Sequence, residues 1–356
     1  MSAAEIEPAV ATATATASAT AGASVATDAI ARRRFDAVPL ALVVVLALAA
    51  WPAVGSTSTW ITLTLAGLAM GMVVFITASG LTLVFGLMDV LNFGHSLFIA
   101  LGAYVAATVF AALGGWAASP SLALNLAVIA VAMLAAMALA GAIGLGFERV
   151  IVRPVYGQHL KQILVTLGGA IVGEELIKAV WGPQQIALPP PEALRGSILI
   201  GEVTIDKLRL VSVVVGLVVL GALGYTLNRT KIGLLIRAGV QDREMVESLG
   251  YRIRRLFVGV FAAGSALAGL GGCLWGMNQQ IVVPQIGGQV NVLIFIVIIM
   301  GGLGSTLGCV VGALLVGLMT NYVGFLAPKL TMFSSIGLMV AVLLWRPQGL
   351  YPVTSR

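Results

Sequence analysis

The sequence predicts an all-α polytopic membrane protein of about ten transmembrane helices, or about eight on a stricter count, with both termini cytoplasmic. Three observations predict it. Hydrophobic residues make up 59% of the 356-residue chain and charged residues only 10%, against roughly 25% charged in an average soluble domain. Too little polar side chain remains to cover a surface facing water. The apolar stretches run continuously for about 20 residues, the length a helix needs to cross hydrocarbon, instead of alternating in short strands as in a barrel. The basic residues behind the net charge of +6 fall between these runs, where they orient a membrane protein, and this argues against nucleic acid as a partner.

The first segment, residues 1–37, contains the low-complexity run "ATATATASATAGAS" and lacks the large apolar side chains that build a core. It reads as a disordered cytoplasmic leader. Arg32, Arg33 and Arg34 then precede an apolar run from Val38. Signal peptides share that pattern, but the length of the leader and the spans that follow favour an uncleaved first span. The transmembrane domain is expected over 38–346, followed by a cytoplasmic tail over 347–356.

Within it the spans read as 38–54, 60–86, 94–113, 121–147, 162–181, 210–227, 255–277, 289–303, 305–323 and 330–346. The connections then alternate sides. Arg149, Arg153 and Lys161 lie in one connection, and Arg229, Lys231, Arg237, Arg243, Arg252 and Arg254 in another. Both fall on the side assigned to the cytoplasm, as the positive-inside rule requires. The long outer connection 182–209 instead balances Arg195, Lys207 and Arg209 against Glu192, Glu202 and Asp206. The least regular stretch is 289–323, where "GGLGST" reads either as a tight turn or as a break within a re-entrant segment.

The 43 glycines recur at helical spacing, as at Gly67 and Gly71 or Gly308 and Gly312. Small residues at such intervals let helix backbones approach closely in lipid. Cys273 and Cys309 both fall in apolar runs without metal-ligand spacing and read as buried free thiols.

The segment 228–254 is long for an interhelical connection, charged and patterned. Leu234, Leu235, Ala238, Met245, Val246 and Leu249 form an apolar side on short helices; Arg237, Asp242, Arg243, Glu244 and Glu247 form a polar side; Gly233, Gly239 and Gly250 punctuate it. A short amphipathic helix under the membrane needs either the lipid surface or a protein groove, and the interleaved carboxylates favour the groove.

"TKIGLLIRAGVQDREMVESLGYRIRRLF" resembles the ATPase-docking loop of the branched-chain amino acid permease family of ABC importers, the LivH-like class. "GLTLVFGLMDVLNFGHSLFIALGAYVA" resembles that family's N-terminal signature. "LVTLGGAIVGEELIKAVWGP", "GSALAGLGGCLWG", "GGLGSTLGCVVGALLVG" and "LWRPQGL" continue it in order. The similarity runs from about residue 60 onward, and the N-terminal leader departs from it.

The resemblance implies a multi-pass permease subunit in the bacterial inner membrane, taking up branched-chain amino acids or a related small polar solute. Relatives for urea, short amides or aromatic carboxylates share the architecture. It implies as partners two cytoplasmic ABC ATPase subunits, a second LivM-like permease or a second copy of this chain, a periplasmic substrate-binding protein and membrane lipid. No cofactor is expected on this chain. The sequence holds no G-x-x-x-x-G-K-[ST] loop, so ATP would be used by the partner subunits. The residues expected to shape the coupling lever are Gly233, Arg237, Ala238, Asp242, Glu247 and Gly250.

Polar groups inside spans are costly and therefore functional candidates. Asp89 and His95 are the only acidic, basic or imidazole side chains between Val38 and Phe147, and Asn92 and Ser96 stand beside them. Asn92, His95 and Ser96 are candidates for the substrate pathway. A histidine capping a helix start is the plainer reading of His95, and Asp89 reads as an N-cap or anchor at the same boundary. Asn278 and Gln279 end a span on the outer side and are candidates for a cavity mouth. Glu174 and Lys178 stand at i,i+4, where they can neutralise each other. The competing class is an ion-coupled secondary carrier. It needs mid-span carboxylates, and 256–328 contains no charged residue.

Overall fold

The computed structural model describes residues 36–241 and 243–352. Most of the leader, Asp242 and the end of the tail lie outside the described residues. The chain divides into two compact units, Met1–Ala41 and Leu42–Arg356. In the first, Asp36 Oδ1 accepts the Val38 N–H at 3.0 Å, which caps the helix start there.

Each of the ten expected spans is a helix. They are α1 Val38–Val54, α2 Thr57–Met88, α3 His95–Ala112, α4 Leu122–Phe147, α5 His159–Trp181 and α6 Lys207–Arg229. Two short helices follow, α7 Lys231–Gln241 and α8 Arg243–Ser248. The helices at the last four expected spans are α9 Ile253–Gln279, α10 Ile286–Gly301, α11 Thr306–Leu326 and α12 Thr331–Trp345. Among the described residues, seven helices are long and apolar enough to cross a membrane. Of the other three, α1 and α10 are apolar but shorter, and α5 carries Glu174, Glu175 and Lys178.

The core is built on α2, which packs against α11, α9 and α6. Of its apolar stretch 83% is buried, against 17% for α6 and 11% for the last span, whose surfaces are mostly left uncovered by the rest of the chain. Small residues set this packing. A Cβ on Gly71 would lie 2.9 Å from the Ala313 carbonyl oxygen and from Leu314 Cα, closer than real Cβ contacts come, so the two backbones meet there only because the side chain is absent. The spacing of Gly67, Gly71 and Gly317 is thus a packing code. Cys273 and Cys309 are buried free thiols.

Helix α10 has 16 residues, about 24 Å at 1.5 Å per residue, short of the roughly 30 Å hydrocarbon layer. It begins beside α3, where a Cβ on Gly287 would run into the Ser96 carbonyl. It ends where the Leu350 and Tyr351 N–H groups bond the Met300 and Gly301 carbonyls at 2.9 and 3.0 Å. "GGLGST" is the turn between α10 and α11: Gly302 and Gly304 have φ of 99° and 81°, a region glycine alone enters freely. Ser305 then caps α11 by accepting the Gly308 N–H at 3.1 Å.

Two sequence expectations need correction. Asp89 is not an N-cap; it ends α2 as its C-cap with φ 53° and ψ 36°, its N–H bonded to Phe85 O. Asp and Asn tolerate this left-handed conformation better than other non-glycine residues. The connection 182–209 is not plain loop. It folds a hairpin of β1 Ser197–Ile200 and β2 Val203–Asp206, and its Ile186–Ala187 pairs antiparallel with Ile281–Val282. Gly201, at φ 64°, allows the hairpin turn. Helix α6 runs from this hairpin to α7, so the two features sit at opposite ends of one span.

Candidate transport cavity and coupling element

At the hairpin end of the bundle, α2, α6, α9 and α11 leave a cavity of about 390 Å³. Arg209, Asn278, Gln279, Thr320 and Asn321 supply its polar lining, and Leu63, Met70, Trp275 and Phe325 its apolar lining. Arg209 stands in the first turn of α6, where Asp206 caps the helix by accepting the Leu208 and Arg209 N–H groups at 2.8 and 3.4 Å. Asn278 donates from Nδ2 to the Leu274 carbonyl at 2.8 Å and to Ser212 Oγ at 2.9 Å. Asn321 Nδ2 donates to the Gly317 carbonyl at 2.9 Å. Asn278 thus spends both N–H groups on the scaffold and Asn321 one of its two, and their oxygens take no partner among the described residues. A guanidinium, amide oxygens and apolar walls in one cavity complement a small solute with a carboxylate, an ammonium group and an apolar side chain.

The structure brings Asn278 and Gln279 into this cavity, but not Asn92, His95 or Ser96. Those lie where the chain passes from α2 into α3. Asn92 is in the connecting segment rather than on the helix, so it is not an i,i+4 neighbour of Ser96 on a helical face. His95 is the first residue of α3 and fully buried; its Nε2 lies 3.0 Å from the Thr77 carbonyl oxygen of α2. The ring therefore ties two helices together instead of capping its own. Ser96 Oγ donates to the Phe93 carbonyl at 3.3 Å. The Phe93 N–H bonds Thr166 Oγ1 at 3.2 Å, and the Phe93 ring stacks on Phe295 at 4.7 Å. Asn92 Oδ1 and His95 Nδ1 are buried without a protein partner, a situation that ordered water commonly resolves.

Sequence reasoning missed Arg209, Trp275, Thr320 and Asn321. Asn321 had a signal, being an amide inside an apolar run. Arg209 had none, since it reads as one loop charge among six. Lys178 pairs with Glu174 at 3.1 Å and Glu175 at 2.8 Å, a mutually paired group away from the cavity lining.

At the opposite end α7 and α8 form a compact element joined to α6 and α9. Ile236 and Val246 are buried. Gly239 lies against Ile253, and Gly233 lies so close to the last turn of α6 that a Cβ would meet the Leu227 backbone. Gly250 ends α8 at φ 85°, with the Gly250 and Tyr251 N–H groups bonded to the Glu247 and Val246 carbonyls, a helix stop that needs the left-handed conformation. Ala238 is half-buried and Glu247 exposed. Asp242 lies outside the described residues, as does the side chain of Arg237.

The packed side differs from the one the pattern suggested. Of the expected apolar side, Val246 is buried and Leu235 and Ala238 are half-buried, whereas Leu234, Met245 and Leu249 are each more than 60% exposed. The clamp is Ile236, which lies outside the expected set. The element therefore turns Leu234, Met245 and Leu249 outward while Ile236 and Val246 are covered.

The family described as "Branched-chain amino acid transport system / permease component" matches residues 63–343. The chain is similar to the high-affinity branched-chain amino acid transport system permease protein BraD of Pseudomonas aeruginosa, at 28% identity over 293 residues, covering 80% of this chain and 93% of that protein. It is similar to permease protein LivH of Escherichia coli K12 at 26% identity, covering 80% and 92%. It is also similar to LivM of the same strain, at 29% identity covering 88% and 75%. No solved structure matches the chain.

Proposed function

The chain belongs to the branched-chain amino acid transport permease family, and from that premise we propose that it is a permease subunit of an ABC importer for branched-chain amino acids or a related small polar solute. The observation that carries the coupling part is the α7–α8 element. Its buried Ile236 joins the core of the bundle, and its exposed Leu234 and Leu249 offer an apolar surface away from it. A partner ATPase groove accepts such a surface, and the clamp passes the partner's motion to α6 and α9, which flank the element. Gly233, Arg237, Ala238, Asp242, Glu247 and Gly250 remain the proposed shaping residues of this lever.

The cavity at the hairpin end supports the substrate class. Arg209 suits a carboxylate, the amide oxygens of Asn278 and Asn321 suit an ammonium group, and Leu63, Met70 and Trp275 suit an aliphatic side chain. Asn92, His95 and Ser96 are proposed to shape the opposite part of the pathway by fixing the α2–α3 junction. The coupling face is assigned to the cytoplasm, with both termini there, in the bacterial inner membrane. Two ATPase subunits, a second permease (a LivM-like chain or a second copy) and a periplasmic binding protein complete the assembly, and ATP is consumed by the partners.

The test is reconstitution of the permease pair with its ATPase subunits in proteoliposomes containing the binding protein. The reading expects leucine uptake that requires ATP and survives an ionophore. Uptake that persists with an ATPase-inactive partner and collapses with the ionophore would make the protein a secondary carrier.

A further inference from the structure

The helical turn that ends α4 separates two unlike cavities. Toward α9 lies a space of about 560 Å³ lined by Arg149, Arg153, Arg252, Arg254 and Arg255. Two carboxylates, Glu148 and Glu247, also line it. Glu148 is buried and accepts the Tyr156 hydroxyl at 3.1 Å. Five guanidinium groups against two carboxylates leave three formal positive charges in one cavity. The N-terminal turn of α9, a 27-residue helix, lies at the same wall and adds the positive end of its dipole. No ion pair among the described residues engages these arginines. Orientation during membrane insertion accounts for basic residues on this face, but not for their convergence on one cavity.

Toward α5 lies a groove of about 640 Å³ whose lining is almost wholly hydrocarbon. Ile143, Phe147 and Val150 form one wall, and Val165, Val172 and Leu176 the other. Gly146 and Gly168 hold it open: nothing lies within 4 Å of where their Cβ atoms would stand. Val150 is 73% exposed at its mouth. Phe147, Val150 and Ile151 line this groove while Glu148, Arg149 and Arg153 line the basic cavity. One turn thus presents a cationic site and an acyl-sized apolar slot side by side, at the level where two apolar spans give way to charge.

We propose that this turn is a binding site for an anionic phospholipid, with the lipid phosphate on the arginine cavity and one acyl chain in the groove between α4 and α5. Arginine forks match phosphate oxygens in pairs, and the groove adds a chain that a soluble anion lacks. The inference stands apart from the transport reading, since it needs only that the protein spans a membrane.

The test is native mass spectrometry of the full-length protein released from micelles that hold equal amounts of phosphatidylglycerol and phosphatidylcholine. The wild type is expected to retain phosphatidylglycerol preferentially. The variant R149Q/R252Q/R255Q, altered only at exposed side chains, is expected to lose that preference by about fivefold per arginine removed. Gly168→Leu places a side chain in the groove at a position where an added Cβ meets nothing within 4 Å, and is expected to lower retention of both lipids. Equal retention of the two lipids by the wild type, or an unchanged preference in the triple variant, overturns the proposal. Displacement by inorganic phosphate or glycerol phosphate at the lipid's own concentration overturns it in favour of a plain anion site. Intact lipid preference with lost retention of the ATPase partner in the triple variant overturns it in favour of a protein dock.

Discussion

Replacing Ile236 separates the clamp of the coupling element from its docking surface. Ile236 is 3% exposed, on a helix of 11 residues that an isolated chain would not keep folded in water. Ile236→Ala removes the equivalent of about three methylenes, roughly 2.4 kcal/mol at about 0.8 kcal/mol each, and the cavity left behind raises this to about 3 kcal/mol. The element meets the bundle at few places, so the loss falls on local opening rather than on the whole fold. An opening free energy lower by about 3 kcal/mol means exchange faster by roughly 100-fold. Hydrogen exchange read by mass spectrometry on peptides covering 231–249 measures it. Leu234→Ala, at a side chain 63% exposed, is the matched control: exchange stays within about twofold, while association with the ATPase subunit weakens by about tenfold, as for an apolar contact residue. Equal exchange in the two variants would refute the division into a buried clamp and an exposed dock. So would full ATPase association in Leu234→Ala.

Other outcomes follow from the same geometry. Arg209→Gln is expected to lower reconstituted leucine uptake by about tenfold or more, the loss of a charge-assisted bond of about 1.5–3 kcal/mol, with basal ATPase activity unchanged; Arg209→Lys is expected to recover part of it. Gly317→Leu is expected to abolish recovery of monodisperse protein in size-exclusion chromatography, because its Cβ would stand 2.7 Å from Gly71 Cα, whereas Gly337→Leu, with nothing within 4 Å, is expected to be recovered normally. Gly250→Ala is expected to raise exchange at the end of α8 through a strained left-handed residue, at a cost of about 1–2 kcal/mol. Lys178→Met is expected to leave leucine uptake unchanged, because the Glu174–Glu175–Lys178 group lines neither the hairpin-end cavity nor the coupling element.

The order of the long apolar helices was legible in the sequence because the bilayer imposes one requirement on every spanning segment: enough consecutive apolar residues to satisfy all backbone hydrogen bonds inside hydrocarbon. Runs such as 121–147 obey it without reference to any neighbour, and the family was equally legible in ordered motifs. Which side of a segment is buried was not legible. In α7, Ile236 and Leu234 are both large and aliphatic, and only the close approach of Gly233 to Leu227 and Gly239 to Ile253 turns the first inward and the second outward. The cavity at the hairpin end depends on tertiary structure for the same reason. Arg209, Asn278 and Asn321 come from three helices far apart in sequence, and in lipid, where apolarity does not distinguish core from surface, backbone contact at small residues decides which helices meet. Composition and periodicity determined that this chain crosses the membrane repeatedly; the fit of glycine against backbone decided which of its few polar groups share a cavity.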